Sequence, residues 1–177
     1  MAAPPRADAN VVEGTIVFTD LVGFTEFTAT RGDAEALQLL AIQDRLVRSV
    51  LPGTARIVKE LGDGLFMWFP EPEPALRCAL ELHRILEDET ATTGFPLWIR
   101  VGMHHGHALE RGADLVGNDV NVAARIVDVA APGEVLVSDA VKACMRRPAP
   151  HVCFEELGPV VMKGIPAPIR LWRATSD

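Results

Sequence analysis

An apolar, β-rich run at residues 11–19 stops at Asp20, and beyond it the hydrophobic period switches repeatedly between helical and strand-like. After a Gly23-Phe24-Thr25 turn, Asp33 is placed to cap a long helix reaching about residue 51. Leu37, Leu40, Ala41, Val47 and Leu51 supply its apolar stripe, and Pro52-Gly53 ends it. Two short β-like runs, 55–59 and 65–69, flank Leu61-Gly62-Asp63-Gly64, which reads as a hairpin with a Gly-Asp-Gly tip. Residues 70–74 read as a rigid proline-rich linker. Pro74 suits the first turn of a second helix, whose buried face carries Ala75, Leu76, Ala79, Leu80, Leu82 and Leu86. Residues 97–105 form the next strand. A β-α-β-β-α-β order admits few topologies and predicts an α+β, ferredoxin-like core.

Past that core, residues 106–117 read as a short polar excursion. Asn118 or Asp119 is placed to cap a helix over 120–129, and Pro132-Gly133 breaks it. A strand at 134–138, a short helix at 139–145 and closing strands at 154–162 and 169–174 make a C-terminal α/β extension. Residues 1–10, small and polar with Pro4-Pro5, read as a flexible arm. Residues 11–177 read as one domain.

Composition narrows the partners. Hydrophobic residues at 49% and charged residues at 23% fit a soluble globular chain rather than a disordered one. Seventeen basic against 24 acidic residues leave a net charge of −7, so no basic face is available for a nucleic-acid backbone. No run of ~18 apolar residues spans a membrane, and no secretory leader is visible, so a cytoplasmic location is expected. Cys78, Cys144 and Cys153 form no CxxC pair and read as reduced, partly buried thiols. On a strand, His105 and His107 share one face and His104 takes the other, and their reading is structural.

The chemistry concentrates on two acids. Asp20 ends the first strand and Asp63 sits at the hairpin tip. With the first strand beside the third, both reach one edge of the sheet. Adjacent carboxylates repel, and one is driven toward protonation. A divalent cation relieves that conflict: Mg²⁺ takes one or two carboxylates and leaves its other positions to water and phosphate. Gly62 and Gly64 leave room for a nucleotide, and backbone amides around Gly23-Phe24-Thr25 are placed to hold phosphate oxygens. Taken singly, an Asp in a Gly-Asp-Gly turn is a turn former, and Asp20 merely opens a turn.

Five segments, in order, change that balance. The runs Phe18-Thr19-Asp20-Leu21-Val22-Gly23-Phe24-Thr25, Lys59-Glu60-Leu61-Gly62-Asp63-Gly64, Arg100-Val101-Gly102-Met103-His104 and Asp114-Leu115-Val116-Gly117-Asn118-Asp119-Val120-Asn121-Val122-Ala123-Ala124-Arg125, with Lys163-Gly164, resemble the catalytic domain of class III nucleotidyl cyclases. The resemblance spans roughly residues 12–173. Its short 106–117 segment is similar to the short-armed bacterial members.

The resemblance implies an adenylate cyclase, converting ATP to 3′,5′-cyclic AMP and pyrophosphate at the interface of a head-to-tail homodimer. It implies two Mg²⁺ or Mn²⁺ ions on Asp20 and Asp63, helped by the Leu21 carbonyl. Arg100, with the backbone at Phe24 and Thr25, is implied to meet the phosphates. From the partner subunit it implies Lys59 and Asp114 as the base-reading pair, Asn121 on the ribose, Arg125 on transition-state charge and Lys163 on the terminal phosphates. Asn121 and Arg125 are four apart, hence on one helical face. Lys59 only donates and Asp114 only accepts, which suits the N1 and N6 edge of adenine and opposes that of guanine. Guanylate cyclase activity and a nucleotide-binding module without turnover remain the alternatives.

Overall fold

Strand β1 (Val11–Leu21) is the axis of the molecule. Residues 10–146 and 150–176 are described by the computed structural model. After β1 come α1 (Phe24–Arg31), α2 (Asp33–Val50), β2 (Arg56–Leu61), β3 (Gly64–Phe69), α3 (Pro72–Thr93) and β4 (Ile99–Arg111). Then follow β5 (Asp114–Val116), α4 (Asn118–Val129), β6 (Val135–Ser138), α5 (Asp139–Cys144), β7 (Val152–Val160) and β8 (Ile169–Ser176). The sheet runs β2-β3-β1-β4-β6-β8-β7, with β5 folded back on β4. Its first four strands are antiparallel neighbours with β1 between β3 and β4, which is the expected ferredoxin-like core. β6 joins β4 in parallel, and β8 and β7 complete the extension.

Alternation along the strands makes two cores. Val17, Met67, Phe69, Val101 and Met103 pack against Leu39 of α2 and Leu76 and Leu82 of α3. Ile16, Phe18 and Phe66 face the other way, onto Val120, Ala123 and Val127 of α4. At Gly102 the helix rests directly on the strand: a Cβ there would stand 2.3 Å from the Val127 amide nitrogen.

Several expectations shift. Residues 24–31, read as a turn and its continuation, form α1. Phe24 and Phe27 are only half-buried against the core, a stripe too short to announce a helix. The stripe of α2 agrees with the expected one at Val47, with Leu40 and Leu51 packed against the core, and departs from it at Leu37 and Ala41. Leu37 is 67% exposed and Ala41 is exposed, while Ala36, Leu39, Gln43, Leu46 and Val47 are buried. Leucines on both sides of this helix leave its period ambiguous. The phase adopted buries Gln43, whose side chain finds a partner in the Asp63 carbonyl. Leu39→Ala is therefore expected to destabilise the protein by about 3 kcal/mol and Leu37→Ala by under ~0.5 kcal/mol, read from urea unfolding.

Helix α3 starts at Pro72, inside the expected linker, because a proline in the first turn lacks only an N–H that would be unpaired anyway. Cys78 joins its buried face, with burial pushing its thiol up to about 11, and Leu80 is half-buried. Cys144 and Cys153 are exposed rather than partly buried. The polar excursion is a β-hairpin: Leu109 pairs with Val116, Glu110 with Leu115 and Arg111 with Asp114. Burial of Ala108 and Leu115 against α4 drives the pairing. α4 begins at Asn118 after Gly117, with no side-chain cap from Asn118 or Asp119.

The flexible arm expected over residues 1–10 lies outside the described residues except for Asn10. Its side-chain amide donates to Glu110 at 2.7 Å. Among the described residues no helix is long and apolar enough to cross a membrane.

Candidate active site

Asp20 stands at the end of β1 on the α4 side of the sheet, in register with Arg100 of β4. Arg100 Nε and Nη2 donate to Asp20 Oδ2 at 2.8 and 2.6 Å. Asp63 reaches the same place from the β2–β3 turn. Gly62 takes a φ of 70° there, and a Cβ on Gly64 would stand 2.6 Å from the Thr19 carbonyl oxygen. Only glycine permits that approach of the hairpin to β1. Gln43 Nε2 donates to the Asp63 carbonyl at 3.2 Å and ties the tip to α2. Burial is the main influence raising the Asp63 carboxyl above its ordinary range. Its own backbone amide opposes that shift, the Asp20 charge adds to it, and Arg100 opposes it. A partly desolvated Asp63 raised further by the charge of a second carboxylate, with oxygen donors only, fits a hard divalent cation.

Leu21 follows Asp20 with its side chain buried, and Val22 N–H bonds the Trp98 carbonyl. Gly23, at φ 73°, then turns the chain into α1. The amides of Phe24 and Thr25 lie in the first turn of that helix, where no intrahelical acceptor exists. This end of the sheet thus offers two carboxylates, a guanidinium and a helix start.

Lys59 and Asp114 meet on the same side of the sheet, Nζ donating to Oδ2. A bulge between Ile57 and Lys59 adjusts β2, and the β4–β5 hairpin brings Asp114 across to it. The Lys59 hydrogen bond is the main cause holding the Asp114 carboxyl below its usual range, and the Leu115 amide donates to its other oxygen at 2.9 Å. Asp114 is thus an ionised acceptor at neutral pH. Lys59 pairs with Phe66 and Phe66 with Phe18, so Lys59 lies two strands across and two residues along from Asp20, roughly 12 Å backbone to backbone.

Asn121 and Arg125 are exposed on α4, where Arg125 Nη1 donates to Asp128 at 2.6 Å. Among the described residues no hydrogen bond or ion pair joins either of them to Asp20, Asp63 or Arg100. Lys163 is exposed in the loop between β7 and β8. Within one chain the fold therefore gathers Asp20, Asp63 and Arg100, separately pairs Lys59 with Asp114, and leaves Asn121, Arg125 and Lys163 facing outward.

The histidines divide as their strand positions predict. His105 Nδ1 lies 2.9 Å from Thr15 Oγ1, and His105 and His107 both face Glu13. His104, on the other face, has Nδ1 2.8 Å from Ser138 Oγ. Among the described residues no three of His, Cys, Asp and Glu gather as a metal site. Sequence reasoning missed Gln43 and the bond from the His107 N–H to the Asp119 carboxylate. A polar residue on the buried phase of α2 is the signal for Gln43; Asp119 resembles a helix cap and gives none.

A sheet of this strand order, with acids at the end of its first strand and the tip of its first hairpin, is the framework of a nucleotidyl cyclase. The chain belongs to the adenylate and guanylate cyclase catalytic domain family, whose model matches residues 8–173. It is similar to a pH-sensitive adenylate cyclase of Mycobacterium tuberculosis, 32% identical over 90% of this chain and 40% of the relative. It is also similar to an adenylate cyclase of Streptomyces griseus, 33% identical over 70% of this chain and 30% of the relative. The chain thus spans 40% or less of the length of these two curated relatives. Among solved structures, the adenylyl cyclase CyaB from P. aeruginosa superposes with a TM-score of 0.84 at 18% identity, covering 97% of each chain, and shares the fold. An adenylate/guanylate cyclase/hydrolase from Silicibacter pomeroyi superposes at 0.73 with 29% identity, over 96% of this chain and 99% of that one.

Proposed function

We propose that this domain is an adenylate cyclase, forming 3′,5′-cyclic AMP and pyrophosphate from ATP in a head-to-tail homodimer. The observation that carries the reading is the Lys59–Asp114 pair, a donor-only and an acceptor-only group side by side on the face that also carries Asp20 and Asp63. Adenine N1 accepts and N6 donates, matching both groups, whereas guanine opposes both. The named adenylate cyclases among its relatives point the same way.

Asp20, Asp63 and the Leu21 carbonyl would hold two Mg²⁺ or Mn²⁺ ions, whose chemistry would be to lower the pKa of a ribose 3′-hydroxyl and to offset triphosphate charge. Arg100 turns from Asp20 to the phosphates, and the Phe24 and Thr25 amides receive phosphate oxygens. The neighbouring protomer presents Lys59 and Asp114 to the base and Asn121 to the ribose. Its Arg125 leaves Asp128 for the charge that develops at phosphorus, and its Lys163 holds the departing phosphates. The outward placement of Asn121 and Arg125 suits contribution to a neighbour's site.

The test is purified protein with Mn²⁺ and either ATP or GTP, product identified by chromatography, over a range of protein concentrations. Cyclic AMP formation per protomer should rise with concentration as dimers form. Lys59→Glu should lower the ATP-to-GTP ratio of kcat/KM by about 10–100-fold, the value of one base-reading contact. Equal use of both nucleotides by the unaltered protein, or ATP binding without cyclic product, overturns the reading.

A further inference from the structure

Asp119 occupies the second position of α4, yet its carboxylate leaves the helix and crosses to β4. Oδ2 accepts the backbone N–H of His107 at 2.7 Å. It fills the space above Gly106, where a Cβ would stand 2.1 Å from Oδ2. Oδ1 lies 3.6 Å from His104 Nε2, and His104 reaches Ser138 through its other nitrogen. The His104 side chain is 12% exposed, and burial is the main influence lowering its pKa, so it sits neutral beside the carboxylate at neutral pH.

This contact stands where a cap would. Gly117 supplies no side-chain bond to the start of α4. Besides the apolar packing of Val120, Ala123 and Val127 on the sheet, two close contacts fix the helix laterally: Asp119 on Gly106 and His107 near its beginning, and the Val127 backbone on Gly102 near its end. Asn121 and Arg125 lie between them. Without the first contact the opening turn keeps the apolar packing of Val120 but loses the carboxylate that fixes its placement over β4. A misplacement of about 1 Å at a reacting site lowers turnover by as much as ~100-fold.

We propose that Asp119 is a positioning residue, a latch onto Gly106 and His107 that sets the placement of α4 on the sheet and so the presentation of Asn121 and Arg125. The roles of those two residues rest on the adenylate cyclase reading; the latch itself does not.

The experiment compares Asp119→Ala, Asp119→Asn, Gly106→Ala and the double variant Gly106→Ala/Asp119→Ala in the full chain. Amide hydrogen exchange over residues 118–129 is read alongside kcat and KM for Mn²⁺–ATP. Asp119→Ala should speed exchange in the first turn of α4 about tenfold or more while β7 and β8 keep theirs. Its kcat should fall roughly 10–100-fold with KM within about threefold. Asp119→Asn keeps an oxygen for the His107 N–H and should restore both readouts to within about threefold of the parent. Gly106→Ala should reproduce Asp119→Ala, because its methyl evicts the carboxylate, and the double variant should be no worse than either single one.

Unchanged exchange in Asp119→Ala, an asparagine that restores nothing, or independent addition of the two substitutions overturns the latch. A parent protein that makes no cyclic nucleotide removes the proposed function instead, and exchange and its non-additivity still decide the latch.

Discussion

Asp20→Ala is expected to lower cyclic AMP formation about a thousandfold or more, some 4 kcal/mol of transition-state stabilisation, while the protein stays folded. The loss follows from the carboxylate pair. With Asp20 gone, Asp63 no longer feels a neighbouring negative charge, and in the proposed site one acid alone would have to hold cations assigned to two. Stability should barely change. The Asp20–Arg100 ion pair is about one-third exposed on each side, and partly solvated pairs contribute only ~0–1 kcal/mol. Thermal melting and the Mn²⁺–ATP assay on the same preparation separate the two effects. Activity within tenfold of the parent would remove Asp20 from the metal site.

The second large effect is a recovery. Asp20→Ala and Arg125→Ala are each expected to be nearly inactive, yet an equal mixture should return about a quarter of the parent activity. In a two-fold dimer half of the randomly mixed assemblies carry one chain of each kind. In such a pair one site collects both defects and the other none. The structure motivates this asymmetry: Asp20 sits with Arg100 at the sheet end, whereas Arg125 faces outward on α4 and bonds only Asp128 among the described residues. Differently tagged chains, co-purified to show that mixed dimers exist, make the result decisive. Mixed dimers without activity would mean that each site is built within one chain.

Much of the framework was legible in the sequence because period and punctuation agree there. β1, the β2–β3 hairpin with its Gly62-Asp63-Gly64 tip, and the following helix and strand all follow from alternation and from glycine and proline placement. The buried face of α2 was only partly so, because the burial of Gln43 depends on a carbonyl 20 residues away at Asp63. α1 was hidden because only Phe24 and Phe27 face the core, too few residues to show a helical period. The β4–β5 hairpin was hidden by Gly106 and Gly117, which read as the ends of a polar excursion although the strand runs through the first of them. At the candidate site, Asp20 and Asp63 follow from strand and turn logic. Lys59, Asp114, Asn121, Arg125 and Lys163 come only through the family resemblance. No spacing rule links Lys59 to a partner 55 residues on, since a hairpin folding back over the sheet makes that contact.

The contact between Gly102 and the Val127 backbone has a mechanical consequence. Where two backbones touch with no side chains between them, there is no compressible layer and no rotamer to yield, so strand and helix share a stiff joint. Pushing on the far end of the sheet carries α4 along as one lever. Within such a body the backbone at Arg125 keeps its distance from the sheet end that carries Asp20.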